Sequence, residues 1–161
     1  MNKVLTLLTI TLCFILIQYE KNSFAQTTYY VCDCEEGADA DCIPGDDSNP
    51  GTDPSAPWQT FAKAFSGFLS LSAGDQILFA KGGSFAASSV RVENYNSNAE
   101  SPIIISAYEP YWASGDEENP VLTCNSGSML NLENGGNAVQ DGGYVIKDLI
   151  LRGDNMGCGI F

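Results

Sequence analysis

The spacing of hydrophobic residues changes twice along the chain, and each change marks a different kind of segment. An uncharged, mainly apolar run occupies residues 4–17. Apolar side chains then recur at helical spacing at Trp58, Phe61, Ala62, Phe65, Phe68 and Leu69. This pattern predicts one amphipathic helix of about four turns that begins at Pro57, with Ser55 as its cap. From Gln76 onward the spacing becomes that of β-strands.

Short apolar runs follow Gln76 and alternate with turns rich in glycine and asparagine. They are Ile77–Phe79, Val90–Val92, Ile103–Ile105, Val121–Leu122, Met129–Leu132, Tyr144–Leu151 and Ile160–Phe161. Many short strands without intervening helices predict an all-β fold. The separations between similar runs are irregular but compatible with stacked turns of about 22 residues, and a β-sandwich is the alternative.

The run Tyr144–Leu151 carries a sharper prediction. If Ile146, Leu149 and Leu151 point inward, then Lys147–Asp148 is an outward bend between two short strands. An outward bend between two short strands is typical of one turn of a solenoid.

The first apolar run predicts an export signal. Lys3 precedes it, and the polar stretch that follows ends in Ser23-Phe24-Ala25, a small-x-small cleavage pattern. The run is short for a membrane span, and an N-terminal membrane anchor is the alternative. We therefore expect residues 1–25 to be a secretory signal peptide. The mature protein is then secreted or displayed at the cell surface, with no membrane segment after cleavage.

Charge and composition narrow the possible chemistry. The 161 residues include 7 Lys+Arg, 20 Asp+Glu and no histidine, for a formal net charge of −13. Without histidine the chain excludes Ser-His-Asp triads, Cys-His pairs and imidazole bases. Too few basic residues are present to neutralise phosphates, so nucleic acid is excluded as a partner. Divalent cations, neutral ligands and basic partners remain.

Residues 26–56 form an N-terminal strand at Thr28–Val31 and an acidic loop that contains cysteines. Between Asp33 and Asp53 the loop has eight carboxylates and no basic residue. The predicted calcium ligands, which offer alternating or adjacent oxygens on turns, are Asp39, Asp41, Asp46 and Asp47. Their spacing does not fit an EF-hand, and a solvated acidic loop is the alternative.

Five cysteines remain after the predicted signal. They are Cys32, Cys34, Cys42, Cys124 and Cys158. An odd number leaves at least one thiol free or paired outside the chain. We predict a disulfide between Cys32 and Cys42 across the acidic loop, with Cys34 as the competing partner. A disulfide is favoured over metal, because one CxC pair, one further cysteine and no histidine make a poor zinc site.

Several strings match one class of secreted proteins in order and spacing. They are Tyr29-Tyr30-Val31, Asp47–Thr52, Ala56–Thr60, Lys63-Ala64, Ala73–Phe79, Lys81-Gly82-Gly83, Ser101–Tyr108, Asn119–Leu122 and Tyr144–Gly153. Together they resemble the N-terminal cap and first coils of right-handed parallel β-helix proteins of the pectate-lyase-like superfamily. The resemblance implies that residues 57–161 are a capping helix and the first coils of a solenoid. Because Phe161 stops inside an apolar strand, we expect an N-terminal portion of a longer protein.

The resemblance also implies an extracellular carbohydrate-active protein, either a polysaccharide lyase or a glycoside hydrolase, with a polysaccharide as partner. No catalytic constellation of that superfamily can be placed on these residues. The basic side chains fit the cap or solvated bends, and the resemblance predicts no particular oligomeric state. Tyr111 and Trp112 lie beside turns, where their rings are predicted to stack on sugars, and packing against the wall of the coil is the alternative. A non-catalytic surface or adhesion module is the alternative function.

Overall fold

The structure is a computed structural model that describes residues 25–125, 127–133, 143–153 and 160. The predicted signal peptide lies outside the described residues except for its last position, Ala25. Phe161, the end of the last predicted strand, also lies outside them. In the part of the chain that is described, no helix has the length and apolar character needed to cross a bilayer.

Strands dominate the described residues. In chain order they are β1 (Thr28–Val31), β2 (Gln76–Ala80), β3 (Ser84–Ala87), β4 (Val90–Glu93), β5 (Ile103–Tyr108), β6 (Val121–Cys124), β7 (Leu130–Glu133), β8 (Tyr144–Ile146) and β9 (Ile150–Gly153). The helical elements are α1 (Phe61–Ser66) and a 3₁₀ turn at Phe68–Ser70. The all-β prediction is therefore confirmed.

The strands lie in three sheets, and every strand pair is parallel. The first sheet has the order β1-β2-β5-β8, the second β3-β6-β9 and the third β4-β7. Each strand from β2 to β6 pairs with the strand three places further along the chain. Strands that are adjacent in sequence therefore belong to different sheets.

The register aligns apolar side chains into rows that cross the sheets. Ile77 pairs with Ile105, which pairs with Ile146, and the second sheet has a matching row of Phe85, Leu122 and Leu151. The members on β2, β3, β5 and β6 are fully buried, and those on β8 and β9 pack against the same core. Burial of such side chains contributes about 1.5–3 kcal/mol each.

Aromatic rings fill the core between the first sheet and α1. Phe79 stacks on Phe61 and Phe65 at centroid distances of 6.2 and 6.4 Å. Phe79 also meets Phe85 edge-on at 4.9 Å. Phe61, Phe65 and Phe68 of the predicted apolar face are thus buried, whereas Ala62 and Leu69 of that face are exposed.

The helix itself is shorter than predicted. Its N-cap is Thr60 rather than Ser55, and it ends before Gly67. The preceding segment cannot be helical because Trp58 forms a parallel bridge with Val31 of β1. Glycine costs about 1 kcal/mol in a helix interior, which explains why the chain continues only as a 3₁₀ turn.

The outward bend predicted between β8 and β9 is confirmed. Asp148 has φ 57°, a left-handed conformation that turns the chain between the two strands. Its carboxylate accepts a hydrogen bond of 3.1 Å from the Ser106 hydroxyl on the neighbouring strand. Leu149 and Leu151 pack against the core, as the pattern indicated.

The pairing intervals are longer than the predicted 22 residues. Ile77 pairs with Ile105, 28 positions later, whereas Ile105 pairs with Ile146, 41 positions later. The extra residues form connections between the strands, such as the one between β5 and β6. The interval therefore varies while the paired positions keep the same orientation.

Candidate functional site

Three side chains from distant parts of the sequence converge on the turn between β2 and β3. Gly82 in this turn has φ +70°, and a Cβ built on it would lie 3.1 Å from Asp39 Cβ, Glu117 Cγ and Trp112 Cη2. The Gly82 amide donates to the Glu118 carbonyl at 2.8 Å, and its carbonyl accepts from the Asp39 amide at 2.7 Å. A glycine is required here by both conformation and space.

These residues border a cleft of about 210 Å³. Its polar lining includes Asp39, Asp116, Glu117, Glu118 and Asn119, and we call it the acidic cleft. Among the described residues, no Lys or Arg side chain lines it. The cleft therefore offers hydrogen-bond acceptors and negative charge, and the Trp112 ring, which is not part of the lining, lies close to Gly82.

Glu117 is held in its ionised form. Its carboxylate accepts hydrogen bonds from the Ser114 amide at 2.5 Å, the Ser114 hydroxyl at 2.9 Å and the Gly115 amide at 2.9 Å. The Ser114 amide makes the largest contribution, and together these bonds lower the pKa of Glu117 to about 2. A carboxylate of this kind can accept a hydrogen bond from a ligand, but it cannot act as a general acid near neutral pH.

A second cleft, of about 300 Å³, lies on the outer face of β3 and β6. Its lining includes Glu35, Glu36, Ala86 and Thr123. Thr123 is paired with the exposed Arg152 of β9, so the outward positions form a row across the second sheet. The segment 35–39 contributes residues to both clefts and separates them.

The predicted calcium ligands do not form a cluster. Asp39 accepts a hydrogen bond from the Asp41 amide, and Asp46 accepts one from the Ser48 amide. Asp47 accepts from the amides and hydroxyl of the segment before α1. Among the described residues, the group of three or more side chains with metal-ligand spacing consists of cysteines. Asp39, Asp46 and Asp47 thus bind backbone amides of the loop and of the segment before α1, and calcium binding stays a prediction.

The predicted disulfide is wrong in one partner. Cys42 is bonded to Cys34, with a Cα–Cα distance of 5.8 Å, and Cys32 keeps a free thiol. Cys32 lies at the end of β1 and is only 1% exposed. Its thiol donates to the Ile43 carbonyl at 3.0 Å, and burial raises its pKa to about 11. Cys34, which the sequence left open as the competing partner, is therefore the cysteine bonded to Cys42.

The two predicted sugar-stacking aromatics have different surroundings. Trp112 is partly buried against a small cluster that contains Cys32, Ala80 and Tyr108, and its ring approaches Gly82. Tyr111 is 62% exposed. The structure thus brings Asp39 and Trp112 to the Gly82 turn, and neither Trp112 nor Tyr111 belongs to the cleft lining.

Sequence reasoning missed Gly82, Glu117 and Glu118 as parts of this site. The run Asp116–Glu118 and the pair Gly82-Gly83 are visible in the sequence, but nothing in it indicates that they meet. Of the described basic residues, Arg91, Lys147 and Arg152 are exposed, whereas Lys63 and Lys81 are partly buried. Lys81 pairs with Glu109 at 2.9 Å.

Comparison with known proteins finds a partial similarity. No protein-family model matches the sequence. A stretch of 99 residues, or 62% of the chain, is 34% identical to a lacto-N-biosidase from Bifidobacterium longum subsp. longum. The matched stretch is about 5% of the length of that protein.

Proposed function

We propose that the chain is part of an extracellular carbohydrate-active protein whose strands wind as a right-handed parallel β-helix. The order in which the strands visit the sheets supports this winding. β2, β3 and β4 lie in the first, second and third sheets, and β5, β6 and β7 follow the same order. β8 and β9 begin another circuit. Connections between parallel strands of one sheet are right-handed in nearly all proteins.

The segment around α1 is the proposed cap of the stack. β1 is the outer strand of the first sheet, and Trp58 covers its free edge through the bridge to Val31. Phe61 and Phe65 then pack on the Phe79 ring inside the core. A segment that pairs with an edge strand and fills the open end of the core is what such a fold needs.

Export is supported by the disulfide as well as by the predicted signal. Cys34 and Cys42 are bonded across a short surface loop. Bonds of this kind persist in oxidising compartments and are rare in the reducing cytosol. We therefore place the protein outside the cell or at its surface.

The similarity to a lacto-N-biosidase carries the carbohydrate part of the proposal. The chemistry of the acidic cleft agrees with it, because carboxylate and amide oxygens accept hydrogen bonds from sugar hydroxyls. Trp112 adds an aromatic ring close to Gly82, which lines the cleft. Aromatic rings combine a large apolar area with fixed geometry, which suits the apolar faces of sugars.

The charge of the cleft favours a neutral glycan over an acidic one. Its carboxylates would repel a uronate polymer, and no Lys or Arg side chain lines it to offset them. A lyase also needs a cation or a basic residue beside the uronate carboxyl. Of the two enzyme classes suggested by the sequence, a glycoside hydrolase fits this cleft better than a lyase.

Within this chain the cleft is proposed as a binding subsite and not as the catalytic centre. Glycoside hydrolysis needs one protonated carboxyl as the acid and a second carboxylate. Glu117, with a pKa of about 2, cannot supply that proton. The cleft therefore holds a sugar, and cleavage, if the whole protein performs it, takes place at other residues.

The test uses the secreted protein that contains this chain, with a panel of neutral and uronate-containing glycans that includes lacto-N-biose units. Binding is measured by titration calorimetry, and products are followed by mass spectrometry. We expect Trp112→Ala to weaken binding of a neutral glycan by about tenfold. The control is Tyr111→Ala, an adjacent exposed aromatic outside the cleft lining, with which binding is expected to stay within about twofold.

The outcomes separate the alternatives. Equal binding by wild type and Trp112→Ala would remove the cleft from the proposal, provided that thermal unfolding shows both proteins folded. Binding without product release supports the surface or adhesion module. Preferential binding of uronates with unsaturated products would favour the lyase, and binding of no glycan would overturn the function altogether.

A further inference from the structure

Three cysteine side chains meet beneath the acidic loop. The sulfur atoms of Cys32, Cys34 and Cys42 all lie within 4.8 Å of one another. Cys34 and Cys42 are bonded, and Cys32 is a free thiol at the same place. A buried thiol this close to a disulfide is positioned for exchange, because such reactions proceed by direct attack of one sulfur on another.

We propose that these residues form an internal thiol–disulfide exchange centre, in which Cys32 displaces Cys34 from Cys42. The Cys32 thiolate attacks Cys42 Sγ, a Cys32–Cys42 bond forms, and the Cys34–Cys42 bond breaks. Cys34 leaves as a thiolate and takes up the proton that Cys32 released. One disulfide and one thiol are present before and after the step, so no oxidant or reductant is consumed.

Attack on Cys42 is favoured over attack on Cys34. A Cys32–Cys34 bond would join positions two apart in an extended segment, where the Cα atoms are about 6.6 Å apart, near the upper limit for a disulfide. The displaced Cys34 is also more exposed than Cys32. Water therefore stabilises the leaving thiolate, which speeds the exchange.

The groups around the Cys32 thiol set the rate of the exchange. Burial raises the pKa of its thiol to about 11, the Trp112 side chain lowers it in part, and the charge of the neighbouring Asp33 raises it. Tyr108 and Tyr30 are the other titratable side chains of the cluster around it. Exchange is therefore slow at neutral pH and accelerates as the thiolate forms.

The exchange would act on the wall between the two clefts. The Cys34–Cys42 bond closes the loop that carries Glu35, Glu36 and Asp39. Cys34 also bridges to Ser84 of β3, next to the second cleft. Moving the bond to Cys32 leaves this backbone bridge in place but frees the Cys34 side chain and lengthens the closed loop, so the exchange would loosen the acidic cleft. This consequence rests on the proposed function, whereas the exchange itself does not.

Peptide mapping without reduction tests the exchange. The wild-type protein is incubated without added thiol at about pH 7 and about pH 9, quenched with acid, alkylated and digested. We expect the Cys34–Cys42 peptide at first, and then a Cys32–Cys42 peptide with alkylated Cys34. Its initial rate should rise about 100-fold between the two pH values, as the thiolate fraction does. A rate independent of protein concentration would assign the exchange to a single molecule.

Two variants sharpen the result. Cys34→Ser, oxidised by air, should form the Cys32–Cys42 bond, and Cys32→Ala should keep the Cys34–Cys42 bond at every pH. The proposal would be overturned if wild type retained only Cys34–Cys42 at alkaline pH, or if Cys32 and Cys42 both stayed alkylatable in folded Cys34→Ser. Neither result would change glycan binding by the untreated protein, so the exchange and the proposed function fail separately.

Discussion

Asp47 connects the acidic loop to the start of α1, and its removal gives the sharpest test of the fold. One carboxylate oxygen accepts hydrogen bonds from the Gln59 and Thr60 amides at 2.9 Å each, and the other accepts from the Thr60 hydroxyl at 2.7 Å. Thr60 in turn caps the helix by accepting from the Lys63 amide at 3.1 Å. Asp47→Ala therefore removes three bonds and weakens the cap.

The expected loss of stability follows from these contacts. A hydrogen bond to a charged group contributes about 1.5–3 kcal/mol, but Asp47 is partly exposed and water replaces some of what is lost. We expect the free energy of unfolding to fall by about 3 kcal/mol, and Tm by about 10 °C. Asp46→Ala is the matched control, because the exposed Asp46 carboxylate accepts from the Ser48 amide and contacts no residue of the cap.

The assay is urea and thermal unfolding between about pH 2.5 and 7. Burial on its own raises the pKa of Asp47, but the hydrogen bonds from Thr60 and Gln59 and the charge of Lys63 outweigh it and lower the pKa. A lowered folded-state pKa contributes stability above the unfolded value of about 3.9, and this stability is lost as the pH falls through the folded value. The difference between wild type and Asp47→Ala should therefore be full at neutral pH and shrink in acid.

Two outcomes would refute this reasoning. One is equal stability of the Asp47→Ala and Asp46→Ala variants at neutral pH. The other is a difference from wild type that grows as the pH falls. The difference should also persist in EDTA, since the Asp47 oxygens are satisfied by protein donors. Its loss in EDTA would instead favour the calcium prediction.

Two further substitutions test the turns around the core. Gly51→Ala places a Cβ about 2.5 Å from the Trp58 ring at φ +73°, and should lower Tm far more than Gly37→Ala, which has positive φ but open space around it. Asn94→Asp replaces a buried amide that donates to backbone carbonyls of the 3₁₀ turn, and should lose about 3 kcal/mol at neutral pH. Part of this loss should return in acid, because burial raises the folded-state pKa of the new carboxyl. Asn98→Asp, whose side chain only accepts bonds from the loop, should show neither effect.

Much of the sheet architecture could be predicted because apolar positions repeat at strand spacing. β2 and β5 contain the residues predicted for them, and the bend at Lys147–Asp148 follows from the orientation of its neighbours. β3 was missed because Ser84–Ala87 combines one large apolar residue with small ones, and only its pairing with β6 identifies it as a strand. The tertiary context decides such segments.

The candidate site was harder to predict, because its composition depends on which distant residues the fold brings close together. Asp39, Gly82 and Trp112 are far apart in sequence and meet only through the register of β2 with β5 and the loops that follow. The disulfide shows the same limit, since spacing alone left Cys34 as an alternative to Cys32. The length of the helix was overestimated for a related reason. Trp58 has helical spacing with the residues that follow it, but it forms a bridge to β1 instead.

The unequal pairing intervals have a consequence for how this protein can diverge. Successive partners lie 28 and 41 positions apart in the first sheet, yet both intervals bring isoleucine onto isoleucine. The length of the connections between strands therefore does not determine how the interior packs. Insertions in these connections need not disturb that packing. The acidic cleft is lined in part by such connections, so its shape and charge can change through loop insertion while the scaffold stays the same.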